Sequence, residues 1–405
     1  MNRNARRCLN RIVGGVVAIA VAIFPVFSVA VSQSATPLTE TRGVWLTNVS
    51  SDVLFVPGAV TRALDELSQH HFTTVYPVVW NRGQTFYPSS VSQRETGRSQ
   101  DVLLALMQDG EDILHRIIQE GHQQNLNVLA WFEYGFMAPK NSELVKRHPD
   151  WITQHRDRSE NLQEDELKSE LLDNPFTIQQ VWLNPLHPEV QNFLLSLIVE
   201  VILNYNVDGI QFDDNFGLPV ELGYDPFTIE LYRQEHWGYP PPNNPYNSEW
   251  IRWRAAKITD FMQRIFQVVK FVKPDCPISL AAHSQSFAYR HYLQDWLTWV
   301  ESGWIDELIL QVYHDRLYRF HQELLISTVW YARNFTRVEV GILSGTMKRP
   351  ISISEVKKRV KIARELGFDG FAFFYWESLW GSVIPDSPKK RRQVFHSLFA
   401  PDNSR

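Results

Sequence analysis

A chain of 405 residues with 44% apolar content and a net charge of −5 has ample material for a large core, and it lacks the basic surplus that a polyanion partner requires. Its one strongly basic run, Lys389-Lys390-Arg391-Arg392, falls at a predicted helix start and reads as a solvated face, so no nucleic-acid partner is expected. Of its two cysteines, Cys8 lies in the N-terminal segment and Cys276 stands far from it, which excludes a disulfide-stapled scaffold.

The chain opens with Arg3, Arg6, Arg7 and Arg11, followed by a charge-free run over residues 12–35. A cationic start, an apolar run and the small-residue site Ser28-Val29-Ala30 predict export to a periplasmic or extracellular location. Residues 1–35 then serve as a signal peptide or, if uncleaved, as a membrane anchor through residues 12–30. Cys8 precedes the apolar run instead of following it, which argues against lipoprotein processing.

Beyond this segment, short β-rich runs alternate with helical stretches. Strands are predicted over residues 43–47, 73–79, 127–133, 209–212, 278–282, 307–312, 338–342 and 370–374. Crossover helices are predicted over residues 101–122, 188–205, 250–272, 289–302 and 354–366. Strict alternation demands a parallel sheet, eight repeats close a barrel, and no G-x-G-x-x-G follows the first strand to suggest a dinucleotide fold. The expected fold is α/β, a (β/α)8 TIM-like barrel over residues 36–400 with a short tail at 401–405, acting as a monomer. A minimal barrel needs roughly 250 residues. The excess is expected in two long loops on the C-terminal face, residues 140–180, acidic and polar around 156–173, and residues 215–248, with Tyr239-Pro240-Pro241-Pro242.

In such a barrel the residues that follow each strand form the active-site rim. Here they are Thr47-Asn48, Trp80-Asn81-Arg82, Glu133-Tyr134, Asp213-Asp214-Asn215, His283-Ser284, Tyr313-His314-Asp315, Ser344 and Trp376-Glu377. The fourth set is the most informative, because an apolar strand ends in two carboxylates and side-chain alternation puts Gly209, Gln211 and Asp213 on one face. Paired carboxylates beside aromatic platforms are what glycoside hydrolysis requires, one acid to protonate the leaving oxygen and one carboxylate to attack the anomeric carbon or activate water. The first strand reads Trp45-Leu46-Thr47 where a metal-dependent barrel hydrolase would carry His-x-His, and the chain has no H-E-x-x-H, Cys/His cluster or G-x-S-x-G. Neither a metal nor a cofactor is therefore expected. Taken singly, each rim residue has a plainer role open to it: Trp45 and Trp131 as core, Asn48 and Asp315 as helix caps, His283 as a satisfied rim histidine.

Four motifs in order, Arg42-Gly43-Val44-Trp45-Leu46-Thr47, Trp182-Leu183-Asn184-Pro185 with His187-Pro188-Glu189-Val190, Asp208-Gly209-Ile210-Gln211-Phe212-Asp213-Asp214, and Gln311-Val312-Tyr313, resemble the glycoside-hydrolase-like family 10. The resemblance covers most of residues 41–379. It implies a glycosidase-type barrel of the bacterial envelope acting on a polysaccharide, with peptidoglycan glycan strands the first expected substrate. The fourth-strand motif is also similar to the chitinase D-G-x-D-x-D-x-E, but Gln211 replaces one Asp and Asn215 stands where the catalytic Glu would be, which argues against substrate-assisted chemistry.

Asp213 is accordingly expected as nucleophile or charge stabiliser, with Asp214 supporting it or rivalling it. For the general acid, Glu377 comes first, since the apolar run Phe373-Phe374-Tyr375-Trp376 before it would raise its pKa; Glu133 and Asp315 are the alternatives. Trp45, Asn48, Trp80, Trp131, Tyr134, Asn184, Gln211, His283, Tyr313 and Trp376 are expected to bind sugar by stacking and hydrogen bonding. The rival reading is a non-catalytic carbohydrate-binding barrel.

Overall fold

The structure, a computed structural model, describes residues 40–160, 179–346, 348–380 and 385–400. The predicted export segment, most of the acidic 156–173 stretch and the 401–405 tail lie outside the described residues. Eight parallel strands close into a barrel: β1 (Thr41–Leu46), β2 (Thr74–Pro77), β3 (Asn127–Phe132), β4 (Gly209–Phe212), β5 (Ile278–Ala282), β6 (Glu307–Gln311), β7 (Arg337–Leu343) and β8 (Gly370–Phe374). Each strand pairs with the next in sequence, and β8 closes onto β1 with Thr41 opposite Gly370.

The strands are Val-, Ile-, Leu- and aromatic-rich because both faces are covered, by helices outside and by packed side chains inside. Gly43 shows how tight that interior is: a Cβ there would lie 2.5 Å from the Tyr76 ring. The filling is partly polar. Trp45 Nε1 donates to Gln211 Oε1 (2.6 Å), Gln211 Nε2 to Ser279 Oγ (2.9 Å), Ser279 Oγ to Glu307 Oε1 (2.7 Å), and the Tyr76 hydroxyl to that same oxygen (3.1 Å). These bonds cross the barrel from β1 to β4, β5, β6 and back to β2, so buried polar groups are satisfied by strands far apart in sequence.

Two predicted helices are broken. The 101–122 stretch forms Val102–Met107 and Ile113–Gln123, because Asp109 and Gly110 adopt left-handed backbone and Asp112 caps the second piece through its bond from His115 N (3.1 Å). The 289–302 stretch forms Gln285–Tyr292 and Trp296–Glu301, ended and restarted around the left-handed Leu293. No described helix is long and apolar enough to cross a membrane.

The excess length lies where expected, beyond β3 and β4. After β3, Met137–Pro139 pairs with Gln180–Trp182 as an antiparallel ribbon. After β4, the loop carries the helix Pro226–Glu235 and is held by the fully buried Arg254 of helix Ser248–Val272, whose guanidinium donates to the carbonyls of Val220, Leu222 and Pro245. Asp225 ties the two loops together, accepting from Thr153 Oγ1 (2.9 Å), Asn184 Nδ2 (3.0 Å) and Thr228 Oγ1 (2.9 Å).

Candidate active site

β3 and β4 pair with Phe132 opposite Phe212, so the next residue of each, Glu133 and Asp213, leaves the barrel at the same level on neighbouring strands. Alternation turns both toward the axis, above Trp131 and Gln211, and Trp131 Nε1 donates to Asp213 Oδ2 at 2.9 Å. Gln311 at the end of β6 donates Nε2 to Asp213 Oδ1 (2.5 Å), the Asp214 amide donates to the same oxygen (2.7 Å), and Gln294 Nε2 holds the Asp213 carbonyl (3.0 Å).

Three donors favour the Asp213 carboxylate, but burial, and after it the neighbouring Asp214 carboxyl, push its pKa well up. Two buried acids that share a hydrogen bond cannot both ionise cheaply, so the pair holds one proton between them. With three donors gathered on the Asp213 carboxylate, Asp214 turns to His283, its Oδ2 3.2 Å from Nε2.

Glu133 is 4% exposed, and burial pushes its carboxyl up to about 7 against the opposing hydrogen bonds of Asn81 and Thr47. Asn81 Nδ2 donates at 2.5 Å, and Thr47 Oγ1 lies 3.1 Å from both carboxylate oxygens. The charges of Asp213, Asp214 and Glu133, after burial, all push the Tyr313 hydroxyl upward, so it stays protonated as a donor facing the three acids.

The other expected acids are placed differently. Glu377 Oε1 accepts from Ser51 Oγ (2.5 Å) and the amides of Asp52 (3.1 Å) and Val53 (3.2 Å), so it clamps the loop after β1, although burial raises its pKa as predicted from its apolar neighbours. Asp315 is a correction: its side chain is 74% exposed and paired with Arg349, away from any desolvated environment that would suit a general acid.

The sugar platforms need correction too. Trp45, Trp80 and Trp131 are fully buried and offer no ring face to a ligand; Trp80 donates to the Gly135 carbonyl (2.8 Å) and packs against Phe193. Gln211 and Tyr134 are buried as well. Asn184 is part of the loop tie, bonded to Asp225 and to Thr228 Oγ1 (2.8 Å). Trp376 is half-buried, edge-on to Trp380, while Asn48 and Glu377 line a cleft of about 870 Å³. Asp213 and Asp214 are not among its lining residues.

Three site residues were in view and not singled out: Thr47 and Asn81 in the rim sequences, and Gln311 in the motif Gln311-Val312-Tyr313. Gln311 had a signal, since alternation along β6 puts it on the same face as Tyr313. Asn81 had none, because it sits in a two-residue strand of a hairpin, Trp80–Asn81 with Gln84–Thr85, too short for periodicity to register.

Residues 40–361 match the family described as glycosyl hydrolase-like 10. The chain belongs to that family. Among curated relatives, glycosyl hydrolase DigH of Escherichia coli K12 is 24% identical over 324 residues, covering 69% of this chain and 66% of DigH. Glycosyl hydrolase YngK of Bacillus subtilis is 23% identical over 343 residues, covering 76% of this chain and 60% of YngK. The match thus spans just under two thirds of these relatives. The glycoside hydrolase domain of PgaB from Bordetella bronchiseptica superposes with a TM-score of 0.63 at 14% identity, over 90% of this chain and 100% of that one, a likeness of fold.

Proposed function

We propose that this protein is an exported glycoside hydrolase that cleaves a bacterial envelope or extracellular polysaccharide, peptidoglycan glycan strands first, through Glu133 and Asp213. The observation that carries the reading is their placement: two inward carboxyls on adjacent strand ends, one held at about 7 and the other fixed by Trp131 and Gln311. Adjacent strand ends bring both carboxyls to the same level of the rim, as a two-carboxylate mechanism requires. Glu133 gives its proton to the leaving oxygen as the bond to the anomeric carbon breaks and Asp213 bonds that carbon. Water, losing its proton to Glu133, then attacks the same carbon and releases Asp213. Asp214 and His283 support Asp213, and Tyr313 offers a hydroxyl donor to the sugar. Export rests on the arginine-flanked apolar run of residues 12–35.

The test is release of reducing ends from peptide-stripped peptidoglycan and other bacterial glycans. Asp213→Asn is expected to lower kcat by at least about a thousandfold, and Glu133→Gln by roughly 10²–10⁴, with glycan binding retained in both. Glycan binding by the native chain without any cleavage would make the protein a carbohydrate-binding barrel instead.

A further inference from the structure

The 870 Å³ cleft lies over the β1 and β2 ends of the rim, bounded by the loop after β1, the Trp80–Thr85 hairpin and Glu377. Four side chains in its wall carry a buried polar atom with no hydrogen-bond partner: Asn48 Oδ1, Arg82 Nε, Gln84 Oε1 and Glu377 Oε2. An unmet buried polar atom costs free energy, and four of them around one cleft make a cost that an occupant could recover. Each belongs to a half-buried side chain lining the cleft, and the soft terminal torsions of Asn48 and Gln84 let their amide oxygens turn toward the open space.

The polarity of the set selects its ligand. Three of the atoms are acceptors and one is a donor. A phosphate or carboxylate brings acceptors only and would leave three of the four unserved, whereas a sugar brings hydroxyls that donate to the acceptors and accept from the guanidinium. Half-buried Phe55, braced edge to face by the buried Phe86 at 6.4 Å, adds an apolar surface to the lining that suits the C–H face of a pyranose.

Glu133 is not among the lining residues, but the cleft and Glu133 share a structural element. The hairpin that brings Arg82 and Gln84 to it brings Asn81 to Glu133, and the Arg82 charge acts on the Glu133 carboxyl. Its turn residues, Arg82 and Gly83, both have positive φ, the geometry of a tight hairpin turn, so the two contacts are made by one stiff unit.

We propose that this cleft is a glycan subsite flanking the scissile bond on the Glu133 side, in which Asn48, Arg82, Gln84 and Glu377 read sugar hydroxyls. The inference rests on the glycosidase reading above and assigns Glu377 to binding instead of proton transfer. The test measures calorimetric binding of oligomers of peptide-stripped peptidoglycan to the full chain carrying Asp213→Asn, alone and combined with Gln84→Ala or Arg82→Ala, each checked for fold by circular dichroism. Each added change is expected to weaken Kd roughly five- to twentyfold. In the otherwise native chain, Glu377→Gln, which turns an acceptor into a donor and keeps the shape, is expected to raise KM about as much while kcat stays within about twofold. Unchanged Kd in both double variants, in a protein that cleaves glycan, overturns the subsite and leaves the glycosidase reading standing. A kcat loss of about a hundredfold or more in Glu377→Gln also overturns it, since that marks a proton donor. Failure of the native chain to bind or cleave any glycan overturns both.

Discussion

Asn81 and Thr47 donate to Glu133 and favour its charge, burial opposes it, and burial wins. A general acid must start protonated, so kcat/KM is expected to fall as pH rises through about 7, the value Glu133 holds. Removing a donor that favours the charged form raises a carboxyl pKa. Asn81→Ala should therefore move the alkaline limb of the kcat/KM profile to higher pH, by roughly 1 unit, as read from initial rates across the neutral range. A limb that stays in place, or moves down, removes Glu133 from the role. The sequence offered Glu133 only as an alternative to Glu377, and the reason is physical: the aromatic run before Glu377 is visible in the chain, whereas the walls that bury Glu133 come from β1, the hairpin and the loop after β4.

At the scale of elements, all eight strands were legible, because apolar β-branched runs bounded by polar residues recur where a covered parallel sheet needs them. The fates of their tryptophans were not. Trp45, Trp80, Trp131 and Trp376 stand in similar local sequence, yet three are fully buried and one is half-buried, since only the packing of distant loops decides how much of an indole stays open. Asn184 is a second such case: its partner Asp225 lies 41 residues on, in another loop. Asn184→Ala removes one of the two donors to Asp225 Oδ1, the donor to Thr228 Oγ1 and the acceptor of the buried Leu186 amide, and it should cost about 2–3 kcal/mol. A lower midpoint in urea with KM unchanged is the expected pair of results; a raised KM at full stability would return Asn184 to sugar binding.

For the whole molecule, the barrel interior stores a second pair of acids. Burial first, then mutual repulsion, hold Glu339 well above the usual carboxylate range; Glu307 beside it is raised by burial, and Arg337 bonds Glu339 at 3.3 Å. Groups raised in the folded state bind protons that the unfolded chain releases. Their contribution to stability is full below the ordinary carboxylate range near 4.3 and is lost as pH rises through the folded values. Unfolding free energy should therefore decline from mildly acidic to alkaline pH. Glu339→Gln, which keeps the shape and removes one charge, should flatten that decline, gaining roughly 1–3 kcal/mol near pH 9 in chemical denaturation series. An equally steep decline in the variant would clear the pair of responsibility.

The Glu377 clamp sets an order of events in synthesis. The amide of Asp52 accepts no lasting position until a carboxylate encoded 325 residues later arrives to receive its hydrogen. The loop after β1 is thus among the first pieces of the rim to leave the ribosome and among the last to be shaped. Until β8 docks, β1 also presents an open strand edge, a template for pairing with other chains. A chain of this topology is vulnerable for nearly the whole of its own translation, and a holdase that shields β1 during that interval would act before any part of the rim is complete.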